Sequence, residues 1–210
     1  MDRQGQGSTL AAIASFAIAF LATPGAAQSA PAGDIVSGDY GGEMLMAVDP
    51  ASHAVSGYFQ SSTGDGQFNC IFYFTGKSGD SDIAIRSYFP ETPGDAIAGR
   101  LVKDGQGGFQ LRLASEHGGC WNVQHFADKD QPAEYTLETA YPWTSIAVVK
   151  SAKAYFFDTP QSKAPRKTYV VKGDGLGVRA IQPGWLQVDF VGSGRPVMGW
   201  IRRSDVYALR

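Results

Sequence analysis

Between Ser37 and Leu113 apolar side chains recur at every second position in short runs, and each run ends in a cluster of glycine, aspartate, proline or serine. A period of two puts successive side chains on opposite faces of an extended chain, so the stretch reads as antiparallel strands joined by tight turns. Met44, Met46 and Val48 lead into Asp49-Pro50-Ala51-Ser52, after which come Val55, Gly57 and Phe59. Phe68, Cys70, Phe72 and Phe74 follow Thr63-Gly64-Asp65-Gly66 and carry Ile71 and Tyr73 on their opposite face, so this strand is expected to be covered on both sides. Ile83 and Ile85, residues 97–102, and Phe109, Leu111 and Leu113 extend the series, and one more strand is expected over Cys120 to Phe126. Seven or eight strands in meander order predict an all-β unit, a closed or nearly closed up-and-down barrel without exposed edges. The 26 glycines and 11 prolines show no three-residue period, which excludes a collagen-like chain.

The N-terminus reads as an export signal. Arg3 precedes a thirteen-residue apolar run, Leu10 to Ala22, which is followed by Thr23, Pro24 and the small residues Gly25, Ala26 and Ala27. The run is too short for a bilayer core, which takes about 20 apolar residues, so residues 1–27 are expected to be cleaved rather than to span a membrane. No cysteine follows the run to carry a lipid anchor, and the expected location is periplasmic or secreted. Cys70 and Cys120 are the only thiols, and an even count in an exported chain predicts that they pair. Closing that loop would stabilise the fold by about 4 kcal/mol in the chain-entropy model. Gly119-Cys120-Trp121 resembles the nucleophile segment of papain-like proteases, but residues 122–131 show no helical stripe and no histidine follows His125.

Residues 129–142 hold neither periodicity for long and contain two prolines, which places a boundary there, between an acidic unit at 34–138 and a second unit at 145–210. Leu186, Val188 and Phe190 alternate with Trp185, Gln187 and Asp189, so the first set is expected to face a core and the second to face out. Residues 191–196 read as a glycine-rich hairpin loop, and the whole stretch suits a small five-stranded barrel. Gly173-Asp174-Gly175-Leu176-Gly177 lacks a following helix and a phosphate-binding lysine, so it reads as a turn rather than a nucleotide loop.

Charge divides the chain as sharply as pattern does. Residues 150–210 carry 11 basic and four acidic side chains, a net of +7; residues 28–149 carry six basic and 15 acidic, a net of -9. The chain's net charge of -2 gives no overall reason to expect a nucleic-acid partner. Either the two units attract each other and the field is internal, or the basic unit approaches an anionic exported partner.

Tyr169-Val170-Val171-Lys172-Gly173-Asp174, then Val178, then Gly184-Trp185-Leu186-Gln187-Val188, and finally Gly199-Trp200-Ile201 before Ser204-Asp205-Val206-Tyr207, occur in an order that resembles the bacterial SH3-like domain. The match covers about 60 of the 210 residues. It implies a short strand before a Lys-Gly-Asp turn, a Gly-Trp strand crossing a small barrel and a Gly-Trp-Ile strand closing it. Related modules often sit beside peptidoglycan hydrolases, so the resemblance also implies a place near the cell wall.

Chemistry-bearing motifs are sparse. His117, Cys120 and His125 lack the converging third or fourth ligand a zinc site needs once Cys120 is oxidised, and the Asp80-Ser81-Asp82 and Asp128-Lys129-Asp130 turns lack a calcium loop's closing glutamate. There is no Gly-x-Ser-x-Gly elbow and no His-Glu-x-x-His helix, so neither a metal nor a cofactor is expected and the chain reads as non-enzymatic. Aromatic residues with basic neighbours are the candidate ligand-binding set: Trp185, Tyr155, Tyr169, Arg179 and Arg202, with Phe157 alternating after Tyr155. The expected function is an exported binding protein for peptidoglycan or an envelope protein, among them an inhibitor or immunity factor for a cell-wall hydrolase. The alternatives are an apolar-ligand carrier, which the bulky residues on both faces of 68–74 argue against, and an unrecognised hydrolase.

Overall fold

The computed structural model describes residues 34–79, 82–192 and 195–207, and the segment at 1–27 expected to be an export signal lies outside them. The described chain is all-β. β1 (Gly38–Tyr40), β2 (Met44–Val48), β3 (Ala54–Thr63), β4 (Phe68–Lys77), β5 (Ile83–Tyr88), β6 (Ile97–Lys103), β7 (Phe109–Leu113) and β8 (Ala133–Tyr135) each pair antiparallel with the next, and β9 (Thr139–Ala140) returns to pair with β1. The sheet is curled, so that rings from strands far apart in its order meet inside it. Tyr40 on β1 lays its ring edge-on to Phe109 of β7 at 5.0 Å, and the Glu138 N–H, in the short link from β8 to β9, donates to the Asp39 carbonyl at 2.9 Å. Met44, Met46, Phe59, Phe72, Phe74 and Leu101 fill the interior and are fully buried.

Residues 114–127 pack side chains into the interior of this barrel-like sheet, and here the expected strand over Cys120 to Phe126 does not form. The segment turns instead, with the Val123 and Gln124 N–H groups donating back to the Cys120 carbonyl. What fixes it is side-chain anchoring: Phe126 and His117 enter the core, Cys120 bonds Cys70 on β4, and the Glu116 carboxylate accepts the N–H groups of Phe126 and Ala127. Cys70 and Cys120 are both fully buried. Phe68, expected in the core set, lies before that register is covered and is 43% exposed. Residues 129–142 are likewise not a bare linker, since they supply β8 and β9.

The rest of the chain forms β10 (Ser145–Val148), β11 (Lys153–Tyr155), β12 (Tyr169–Val171), β13 (Gly175–Gln182), β14 (Trp185–Phe190) and β15 (Val197–Arg202). Instead of five strands there are six, in a four-stranded sheet ordered β10-β13-β14-β15 and a β11-β12 pair joined to it where Phe157 bridges Trp200. Ala154, Phe156, Val170, Leu176, Val178, Leu186, Val188 and Ile201 make its core.

A third core joins the two units. Along β13 the inward residues are Leu176 and Val178, so Gly175 and Gly177 fall on the outward face, where aromatic rings of the first unit and the connector lie directly on the backbone. A Cβ at Gly177 would overlap the Trp143 indole, and one at Gly175 would overlap the Tyr58 ring. Ile146 and Val148 of β10 share this face and pack with Leu45, Ala47, Tyr73 and Tyr88. The exposed backbone of β10 is satisfied by the first sheet: Tyr73 donates to the Ile146 carbonyl (3.0 Å) and the Ile146 N–H donates to Ser56 (2.9 Å). Asp189, expected to point to solvent, does lie on the outward face but is buried beneath this contact, where its Oδ2 accepts from Trp143 Nε1 at 2.8 Å.

Gly177→Ala therefore should destabilise the protein by about 1–3 kcal/mol through overpacking against Trp143, whereas Gly94→Ala, where a Cβ would meet nothing, should stay within about 0.5 kcal/mol of the parent in urea unfolding.

Candidate functional site

The outward face of the four-stranded sheet is covered over β10, Gly175, Gly177 and Asp189, while Trp185, Trp200, Met198 and Arg202 at its other end are at least partly exposed. In the β14–β15 hairpin Trp185 stands opposite Arg202, and Gln187 opposite Trp200, while Leu186, Val188 and Ile201 point to the core. Phe157 enters from the side, exchanging backbone hydrogen bonds with Trp200 at 2.7 and 2.9 Å. Its ring meets Trp185 edge-on at 4.9 Å, and the Arg202 guanidinium lies 5.6 Å from the Trp185 centroid and 5.7 Å from that of Phe157. Arg166 braces the rim: it donates to the Met198 carbonyl (2.8 Å) and pairs with Asp158 (2.6 Å). The result is a ledge of the partly exposed Trp185 and Trp200 and the exposed Arg202, backed by the buried ring of Phe157, with exposed Met198 at one end.

Such a ledge offers ring faces and a cation already held over them. Aromatic faces stack on sugars or peptide segments at little entropic cost, and an arginine over a ring keeps N–H groups for an anionic or carbonyl oxygen.

The other residues expected in the site divide. Tyr155 and Tyr169 stand directly opposite each other on β11 and β12, centroids 5.5 Å apart, both partly exposed, with Lys153 Nζ 4.5 Å above the Tyr169 ring. They form a second patch reached along the chain from Phe157, two residues on from Tyr155. Arg179 belongs to neither patch. It sits where β13 bulges against β14, and its Nε donates to Asp189 Oδ2 at 2.6 Å, the same oxygen that Trp143 holds. Arg179 is thus a strut under the third core. Trp200 and Met198 went unassigned in the sequence reading, although their spacing of two, Met198-Trp200-Arg202, marks one strand face once the hairpin register is known.

Several titratable groups are committed to the fold. Asp39 accepts from the Gly42 N–H (3.0 Å) and Asp174 from the Val171 N–H (2.7 Å); burial raises the pKa of both carboxyls. These two line a cleft of about 480 Å³ between the units, beside Tyr58 and Phe190. His117 is buried, stacked on Phe72 at 5.0 Å and 2.7 Å from the Ser87 hydroxyl. Among the described residues no three histidine, cysteine or carboxylate groups converge as metal ligands would. No family model, curated protein or solved structure matches the chain.

Burial holds the His117 pKa below its ordinary 6.5, against an opposing pull from Glu116. The fold thus favours the neutral ring, and below pH 6.5 the unfolded chain takes up a proton that the folded one refuses. Stability should fall as pH drops from about 6.5 toward the lower folded pKa, then level off. His117→Gln should flatten that slope in urea unfolding at pH 7.5, 6.5 and 5.5.

Proposed function

We propose that the protein is an exported, non-enzymatic binding protein whose basic C-terminal unit, an SH3-like module, engages cell-wall material through the Trp185–Trp200–Phe157–Arg202 ledge. The observation that carries this reading is the half-covered sheet: one half of the outward face is consumed by contact with the first unit, and the other half presents Trp185, Trp200 and Arg202 to solvent over the buried ring of Phe157.

Three further observations support it. The buried Cys70–Cys120 disulfide fits an oxidising compartment, and among the described residues no helix is long and apolar enough to cross a membrane. The interior of the first sheet is packed with aromatic and methionine side chains, which favours contact over the carrying of a ligand inside it. The opposite charges of the two units are little used in holding them together: among the described residues Lys172–Glu91 is the ion pair that crosses, at 3.4 Å and exposed on both sides. An exposed pair contributes at most about 1 kcal/mol, so most of the basic field faces outward, where it steers anionic partners at low salt.

Retention of the mature chain on purified peptidoglycan tests this. The parent should bind, less tightly at high salt, and Trp185→Ala should weaken binding by about 30-fold, the effect of removing a stacked tryptophan worth about 2 kcal/mol. Arg202→Gln should weaken it and also reduce its salt dependence. A folded Trp185→Ala protein that binds like the parent, or a parent that is not retained at any salt concentration, would refute the proposal.

A further inference from the structure

The acidic unit carries a basic cleft that the ledge does not explain. On β5, β6 and β7 the inward residues are Ile83, Ile85, Leu101, Phe109, Leu111 and Leu113, so Arg86, Arg100 and Arg112 all fall on the outward face. Arg100 and Arg112 are direct cross-strand partners, and Arg86 stands one strand over, opposite Ala98. Like charges directly opposite are destabilising in a sheet. Among the described residues none of the three arginines belongs to any of the three cores.

Arg100 and Arg112 border a cleft of about 420 Å³ whose far wall is residues 126–129, held beside β7 by the Leu113 N–H donating to the Phe126 carbonyl. Lys129 adds a third cation to its lining, which also includes Gly99, Ala114 and the otherwise buried Leu113 and Phe126. Three of the six basic residues between positions 28 and 149 therefore line one cleft in a unit of net charge -9, with Arg86 one strand over. Their neutralisation within the chain is slight. Arg100 reaches Asp82 only at 3.9 Å with both side chains exposed, and Arg112 Nη2 donates to the Gln110 amide oxygen at 2.9 Å. The Asp128 carboxylate, also in the lining, accepts the N–H groups of Asp130 and Gln131. Arg112 Nε is buried and donates to nothing among the described residues. A buried donor without an acceptor costs about 1–3 kcal/mol if nothing fills the place.

We propose that this cleft binds an oxyanion group, held between the guanidinium forks of Arg100 and Arg112 with Lys129 closing over it. A phosphate, a sulfate or a carboxylate has the acceptor oxygens that two forks and an orphaned Nε–H demand. The site is distinct from the ledge, and neither depends on the other.

Titration of the mature chain with sodium phosphate, sulfate or acetate at ionic strength held constant with sodium chloride tests it, read on the side-chain Nε–H resonance of Arg112 by NMR. At least one oxyanion should move that resonance saturably where chloride does not, and the rank of the three identifies the group. Arg100→Gln should weaken the preferred anion about tenfold, and Lys77→Gln, the same charge change elsewhere in the unit, should leave it as in the parent. Should Arg100→Gln disturb the fold, Lys129→Gln, on the exposed wall, should still weaken binding. Equal, unsaturable responses to all three anions and to chloride would overturn the proposal, as would undiminished affinity in folded Arg100→Gln and Lys129→Gln proteins.

Discussion

The indole of Trp143 lying on the bare backbone of Gly177, with Tyr58 on Gly175, is the contact on which the arrangement of the molecule depends. A strand that buries both faces needs side chains on both, and β13 has them on one only. Its outward face is stripped to glycine so that rings from the first sheet and the connector can reach the backbone itself. Close approach of this kind exchanges two small side chains for two large aromatic areas, and an aromatic ring brings 150–250 Å² of burial, roughly. The polar edges of the rings are satisfied at the same time: Tyr58 donates to the Gly173 carbonyl (2.6 Å) and Trp143 to Asp189 (2.8 Å). Ser37 completes the seam, donating to the Trp143 carbonyl and accepting from Val48, both at 2.8 Å.

That seam decides which residues remain for recognition. Because Trp143 draws Asp189 inward, Arg179 follows as its counter-ion and is committed to that pair, its side chain only partly exposed. Because the seam ends near Gly177 and Asp189, the far end of the same hairpin keeps Trp185, Trp200 and Arg202 open. One sheet face thus serves as a core at one end and as the proposed recognition surface at the other, and the change takes place within a few residues of β14.

Much of the first sheet was legible because alternation needs only nearest neighbours in the chain: Met44-Met46, Phe72-Phe74 and Phe109-Leu111-Leu113 face the same interior in the structure as in the pattern. The Cys70–Cys120 pairing was legible from the count alone. Residues 114–127 were not, because their side chains are anchored by partners far away in sequence, Cys70 and Ser87 among them, and an irregular backbone held by such anchors has no period to read. Residues 133–140 were too short and too polar to show alternation, yet they form ladders because β7 and β1 offer them edges. Asp189 is buried against expectation for a related reason: alternation says which face a residue takes, and only tertiary packing says whether that face meets water. The glycines of 173–177 read as a turn, whereas Gly175 and Gly177 lie in a strand and are small because of what lies on them.

The seam also bears on how tightly any ligand can be held. A surface on a flexible tether must be ordered when it binds, at a cost of about 0.5–1.5 kcal/mol for each long side chain immobilised. Here Arg202 is already stacked over two rings, and the rim strand is braced by Arg166 and Asp158, so the ledge is largely ordered before contact. The two units are likewise joined by a packed apolar seam instead of by their opposite charges, so raising salt screens the approach of an anionic partner without loosening the frame that presents the ledge. Salt dependence of binding and stability of the fold are therefore separable properties of this chain, governed by exposed cations on one side and buried rings on the other.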